Sequence, residues 1–191
     1  MKKVAIFASG SGTNAQNIAE YFRNSDTARI HLILSNNPEA YVLKRAANMG
    51  IPTYIFDRGS FYNTSDVLDV LLKETTDFIV LAGFLWLVPV NMIKAFPKRI
   101  INIHPALLPK YGGKGMYGIN VHSVVIRNKD KESGITIHYV NERYDEGSII
   151  FQTGCPVLPD DTPETLAERV HHLEYIHYPG IIEKELLNLG Q

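Results

Sequence analysis

Along its first half the chain repeats one unit, a short apolar run followed by a stretch with helical spacing. The runs are "VAIFAS" (4–9), "IHLILS" (30–35), "TYIF" (53–56), "FIVLAG" (78–83) and "RIINIH" (99–104). Helical spacing follows over about 14–23, 40–49, 65–74 and 90–95. Apolar strands separated by helices predict a parallel sheet covered on both faces. The second half changes rhythm. A helix is expected over 120–128; then "GITIHYV" (134–140) and "SIIFQTGCPVL" (148–158) alternate across the short gap "NERYDEG". That pattern predicts an antiparallel pair extending the same sheet. Thr162 and Pro163 offer an N-cap and a first-turn proline for a closing helix. Pro179 should end or kink that helix before a last amphipathic piece, 181–189. The expected fold is α/β: a single domain over 1–191, with a mostly parallel, doubly wound, Rossmann-like sheet and a C-terminal antiparallel pair.

One strand ends unusually, in "NIHPALLP" (102–109). Strand alternation puts Asn102 and His104 on one face and Ile101 and Ile103 on the other, and Pro105 stops the ladder. The C-terminal ends of strands are where open α/β sheets bind ligands. A histidine can move a proton near neutral pH, and an asparagine amide can donate to an oxygen that gains charge. Together they suit the tetrahedral transition state of acyl transfer. Asp145, in "RYDEG", is the best candidate to orient His104, with Glu142 and Glu146 as competitors in the same loop. No serine or cysteine has the surroundings of an activated nucleophile, and Cys155 falls inside a strand pattern. The attacking amine or water would therefore come from a substrate. The bland alternative is that Asn102 and His104 are satisfied strand-end groups and Asp145 a turn former.

A second candidate is "SGSGTN" (9–14), between the first strand and the first helix. Glycines let a backbone approach a ligand, and a helix N-terminus offers free N–H groups to an anion. With Ala15 the stretch matches a dinucleotide fingerprint, but the carboxylate expected about 20 positions on is missing, since the second strand runs into "SNNP" (35–38). A phosphate ester held by Gly12, Thr13 and Asn14 fits better than a dinucleotide; a glycine turn shaped only by packing is the alternative.

Composition narrows the field. The 191 residues are 45% hydrophobic and 20% charged, with net charge -1, so nothing marks a nucleic-acid or anionic-membrane surface. One cysteine excludes an internal disulfide, and no Cys/His cluster has zinc spacing. No apolar stretch approaches the ~20 residues of a membrane span, so a cytoplasmic location, no membrane partner and no metal are expected.

Taken together, "GSGTN", "LAGFLWLVP", "NIHPALLPKY" and "YDEG", in that order over nearly the whole chain, resemble the folate-dependent glycinamide ribonucleotide formyltransferases of purine synthesis. "NIHPALLPKY" is the specific part. The resemblance implies transfer of a formyl group from 10-formyltetrahydrofolate, as co-substrate, to the amine of 5-phosphoribosylglycinamide. It implies that Asn102 and His104 polarise the formyl group, that Asp145 keeps His104 protonated, and that Gly12, Thr13 and Asn14 hold the ribotide phosphate. Leu85, Trp86, Leu87 and Val88 would line the pterin pocket, the segment from Asn141 and Glu142 to Asp145 would close over the folate, and His171 and Glu174 would face the ribotide. For the last two the alternative is a solvated helix surface.

The chain also departs from that pattern. Trp86 and Thr64 stand where arginines are expected, so contacts to the cofactor's glutamate tail do not carry over. The loop 111–120 is long and glycine-rich; His122 is kept but Asn120 replaces a second histidine, and Lys114 is a candidate to replace a lost charge. The related methionyl-tRNA formyltransferases and formyltetrahydrofolate hydrolases carry added domains for which this chain shows no sequence. A non-catalytic nucleotide-binding module or an NADP-type oxidoreductase are alternatives of another class. Monomer and homodimer both remain open.

Overall fold

The computed structural model describes residues 1–189, so the last two positions of the range 1–191 lie outside the described residues. The strands are β1 (Lys2–Phe7), β2 (Ala28–Ser35), β3 (Thr53–Ile55), β4 (Phe78–Leu81), β5 (Ile100–His104), β6 (Glu132–Tyr139) and β7 (Ile149–Pro156). They form one sheet in the order β3-β2-β1-β4-β5-β6-β7. Pairings are parallel from β3 to β5, and antiparallel between β5 and β6 and between β6 and β7. The mostly parallel sheet with its antiparallel extension is as the hydrophobic pattern predicts.

The helices are α1 (Thr13–Tyr21), α2 (Tyr41–Asn48), α3 (Arg58–Tyr62), α4 (Asp66–Lys73), α5 (Val90–Ala95), α6 (Ile119–Arg127) and α7 (Pro163–Asn188). Residues of α1, α2, α6 and α7 pack with Val4, Ile6, Ile101, Ile103, Ile135 and Ile137 on one face of the sheet. Residues of α3, α4 and α5 pack with Ala5, Phe7, Ile79, Leu81 and Ile100 on the other. Every residue of β4 is buried, because both its faces are covered.

Two local features differ from the sequence reading. Helix α3 was not anticipated; Asp57 starts it, accepting from the Ser60 N–H at 2.8 Å while the Ser60 hydroxyl is 3.0 Å from the Asp57 N–H. And Pro179 does not end α7, which continues past it as one helix of 26 residues. A proline cannot donate to the carbonyl four residues back, here that of Tyr175. The Asn17 side chain of α1 donates to that carbonyl instead, at 3.0 Å, so the orphaned acceptor is satisfied by a neighbour and the helix need not stop. Beside it the Tyr178 hydroxyl donates to the Leu81 carbonyl at 2.9 Å, locking α7 over the C-terminal end of β4. The start of α7 is as expected, with Thr162 as N-cap and proline in the first turn.

Candidate active site

The C-terminal ends of β1, β4 and β5 open into a cavity of about 640 Å³, a size usual for small-molecule sites. Its polar floor comes from β5 and β6. Asn102 and His104 share a face, and antiparallel register sets His138 opposite Asn102 and Thr136 opposite His104. Asp145 reaches over them from the β6–β7 loop, at a left-handed φ of 56° unusual for a non-glycine residue. Its Oδ2 lies 3.5 Å from His104 Nδ1 and accepts from the Gly113 N–H at 2.9 Å. Its Oδ1 lies 3.5 Å from Asn102 Nδ2 and 3.6 Å from His138 Nε2.

Backbone carbonyls assign the ring protons. A carbonyl only accepts, so His104 Nε2, 2.7 Å from the Tyr111 oxygen, carries a hydrogen, and so does His138 Nδ1, 2.9 Å from the Tyr139 oxygen. His138 Nε2 is then the acceptor for the Asn102 amide at 3.2 Å. The proton that His104 gains or loses sits on Nδ1, facing Asp145. Burial lowers the His104 pKa below the usual histidine range, and the Asp145 charge and the Tyr111 carbonyl offset this only in part. Burial also works to raise Asp145, but the neighbouring His138 and His104 rings and the Gly113 N–H outweigh it and hold the carboxylate below its usual range. In the free protein the stable pair is thus a neutral His104 beside an ionised Asp145. Against the expectation that Asp145 keeps His104 protonated stands the cost of burying the imidazolium, which favours the neutral ring.

A second polar corner forms where α1 meets α7. Gly12 has φ 72°, and a Cβ there would lie 2.3 Å from the Val42 side chain, so the loop over α2 requires glycine. The Ser9 hydroxyl donates to Asn36 Oδ1 at 2.7 Å and accepts from the Leu85 N–H at 3.1 Å. The place after β2 where a dinucleotide site keeps an acid therefore holds an asparagine tied to the glycine loop. Asn14 Nδ2 donates to Glu174 Oε2 at 2.7 Å, and His171 Nδ1 lies 3.4 Å from the same oxygen. Glu174 is 5% exposed, which excludes a solvated helix surface. Burial raises its pKa, against the pull of His171 and Asn14. Asn14 Oδ1 and His122 Nδ1 are buried in the same wall without a partner among the described residues. Burial, with His171 and His104 nearby, takes the His122 pKa down to about 4.

The far end of the cavity is apolar. Leu85, Trp86, Leu87 and Val88 line it beneath Phe84. Phe56, Phe61, Tyr62 and Phe84 pack around Trp86 with ring centroids 5.8–6.3 Å from it. The Arg58 guanidinium lies 5.3 Å over the Trp86 ring. Lys114, Met116 and Tyr117 also line the cavity.

Of the residues singled out from sequence, Gly12, Thr13, Asn14, Leu85, Trp86, Leu87, Val88, Asn102, His104, Lys114, His122, Asp145, His171 and Glu174 line this one cavity. Asn141 and Glu142 do not; Arg143 and Tyr144 take their place. Asn141 turns inward on its own loop, its Oδ1 accepting from the Arg143 N–H at 3.0 Å, which carries the chain past before it reaches the cavity. Thr64 also stays outside the lining. Sequence reading missed His138, Arg58 and Arg143. The alternation in "GITIHYV" placed Thr136 and His138 on a polar face, but the register that sets His138 against Asn102 is not visible in one strand.

Comparison with known proteins places this geometry. A model of the formyl transferase family matches residues 2–182. The chain is 43% identical over 187 residues to a chloroplastic phosphoribosylglycinamide formyltransferase of Arabidopsis thaliana, covering 95% of this chain and 64% of the relative. With a similar protein of Vigna unguiculata it spans 60% of the relative's length. A phosphoribosylglycinamide formyltransferase of Haemophilus influenzae is 38% identical over 188 residues, 96% of this chain and 86% of that one. The crystal structure of glycinamide ribonucleotide transformylase 1 from Symbiobacterium toebii superposes with TM-score 0.89 at 33% identity, covering 98% of this chain and 89% of the other.

Proposed function

The chain belongs to the formyl transferase family, and we propose that it transfers the formyl group of 10-formyltetrahydrofolate to the amine of 5-phosphoribosylglycinamide. The observation that carries this reading is a single cavity joining an Asn102–His104–Asp145 floor to a glycine-loop corner at one end and an aromatic pocket at the other. In the proposed reaction the ribotide amine attacks the formyl carbon directly. The carbonyl π pair moves to oxygen, where the Asn102 amide and His104, which takes up a proton from solvent at Nδ1 when the substrates bind, stabilise the developing charge. At 3.5 Å, Nδ1 is coupled to Asp145 but too far for a strong hydrogen bond, which leaves that edge of the ring open to the substrate. Asp145 takes the proton that the attacking nitrogen sheds. Collapse of the tetrahedral intermediate breaks the bond to folate N10, which leaves with the proton that Asp145 took from the amine, so Asp145 returns to its anion and the formylated amine remains. No covalent enzyme intermediate is needed.

The ribotide phosphate would bind at Gly12, Thr13 and Asn14, with Glu174 and His171 beside its sugar. The pterin would occupy the pocket of Leu85, Trp86, Leu87 and Val88. Arg58, held over Trp86, is a cation available to the carboxylates of the folate tail where the expected arginines are absent. We read the described residues as one formyltransferase domain acting on small molecules in the cytosol. The test is to mix the protein with a 10-formylfolate donor, with and without 5-phosphoribosylglycinamide, and follow the formyl group. Donor loss only with the ribotide supports the reading; donor loss without it would mean a hydrolase, and none at all a binding module.

A further inference from the structure

The loop that follows β5 touches both members of the acid–base pair through its backbone. The Tyr111 carbonyl accepts from His104 Nε2 at 2.7 Å, and the Gly113 N–H donates to Asp145 Oδ2 at 2.9 Å. Tyr111 stands at φ 57°. A non-glycine residue is strained in that region, so it persists only where its surroundings hold it. The hold comes from the far side of the segment. The Tyr111 hydroxyl donates to Asp130 Oδ2 at 2.9 Å and accepts from Asn128 Nδ2 at 2.9 Å. Lys110 Nζ lies 3.5 Å from the same Asp130 oxygen. Both phenol partners follow the C-terminal end of α6, and neither they nor Tyr111 line the main cavity. Tyr111 and Asp130 border a separate hollow of about 330 Å³.

We infer that Tyr111, clamped through its phenol by Asp130 and Asn128, is a positioning residue that fixes the His104 ring in its Nε2–H form from outside the cavity. The inference rests on the reading of His104 as the acid–base group. A neutral imidazole has one hydrogen to place. With the Tyr111 carbonyl present, that hydrogen stays on Nε2, and Nδ1 is free to take a proton next to Asp145. If the clamp opens, Tyr111 relaxes from the left-handed region and its carbonyl turns away. The Nδ1–H form, donating to Asp145, then competes, and the nitrogen that should accept a proton is blocked.

The experiment is nitrogen NMR of the full chain carrying isotope-labelled histidine, for wild type, Tyr111→Phe, Asp130→Ala and Asp130→Asn, alongside kcat and KM. We expect His104 to show the Nε2–H form in wild type and a mixture with Nδ1–H in Tyr111→Phe and Asp130→Ala. The value of kcat should fall about tenfold or more while both KM values stay within about twofold, as a misoriented base would give. Asp130→Asn keeps an acceptor oxygen and should restore both readouts. An unchanged His104 pattern in Tyr111→Phe and Asp130→Ala overturns the inference. If Tyr111→Phe does not fold, Asp130→Ala decides alone, since it leaves the tyrosine in place. A tautomer shift in a protein that formylates nothing would keep the clamp and sink the proposed function; turnover with an unresponsive tautomer would do the reverse.

Discussion

Two carboxylates in one cavity, each beside a histidine, are driven in opposite directions. Asp145 is held below its usual pKa and Glu174 is raised above it. Burial pushes both up. What differs is the surroundings: Asp145 accepts from a backbone N–H and lies beside the Asn102 amide and two buried histidines, whereas Glu174 accepts from one asparagine amide and lies beside one half-exposed histidine. Environment, not residue type, shifts Asp145 towards its anion and Glu174 towards its protonated form. In the proposed reaction Asp145 is the charged group that accepts the proton, and Glu174 binds.

The sharpest way to break this contrast is to remove each carboxylate in turn. Asp145→Ala should lower kcat by roughly 10²–10⁴-fold, the range for loss of an acid–base group, as should His104→Ala. Steady-state kinetics at saturating substrates check it, and an equal loss of kcat in Glu174→Gln would erase the distinction.

Next in size is a pH effect on stability from the Glu174 corner. His122 falls from 6.5 to about 4 on folding, so between those values the unfolded chain binds more protons. Its stabilising contribution is complete above pH 6.5 and is lost as pH falls towards 4. The total is on the order of 3 kcal/mol at about 1.4 kcal/mol per unit. Melting temperatures across that window should fall less steeply in His122→Gln. Part of the slope should persist in the variant, because His104 is lowered too.

Smaller again, Glu174→Gln should raise the KM for the ribotide about tenfold with kcat nearly intact, the signature of lost uniform binding. The smallest effect expected is for exposed Lys114: Lys114→Ala should raise one substrate's KM by about two- to fivefold, the scale of a solvent-screened charge. Unchanged KM values for both substrates would remove Lys114 from the site.

Periodicity and caps made much of the fold legible. The strands up to β5 and their helices follow from apolar runs and their spacing, and Thr162–Pro163 starts α7 where expected. The shared face of Asn102 and His104 needs only the two-residue repeat of a strand. These signals act within a turn or two of the chain, so neighbouring residues suffice to read them. The short helix α3 was readable in kind, from Asp57 and Ser60, but lacks the length that makes a period visible.

Other features had no local cause to read. Pro179 lies inside a helix because Asn17, 158 residues from Tyr175, supplies the missing donor. Glu174 is buried because Asn14, 160 residues away, meets it. His138 joins the site through strand register, Arg143 displaces Asn141 through the fold of one turn, and the His104 ring proton is assigned by a carbonyl seven residues on. The sequence by itself determined which chemical groups were available and which strand end carried them. Only the tertiary structure decided their partners and charge, because desolvation and hydrogen bonding depend on what distant segments bring into contact.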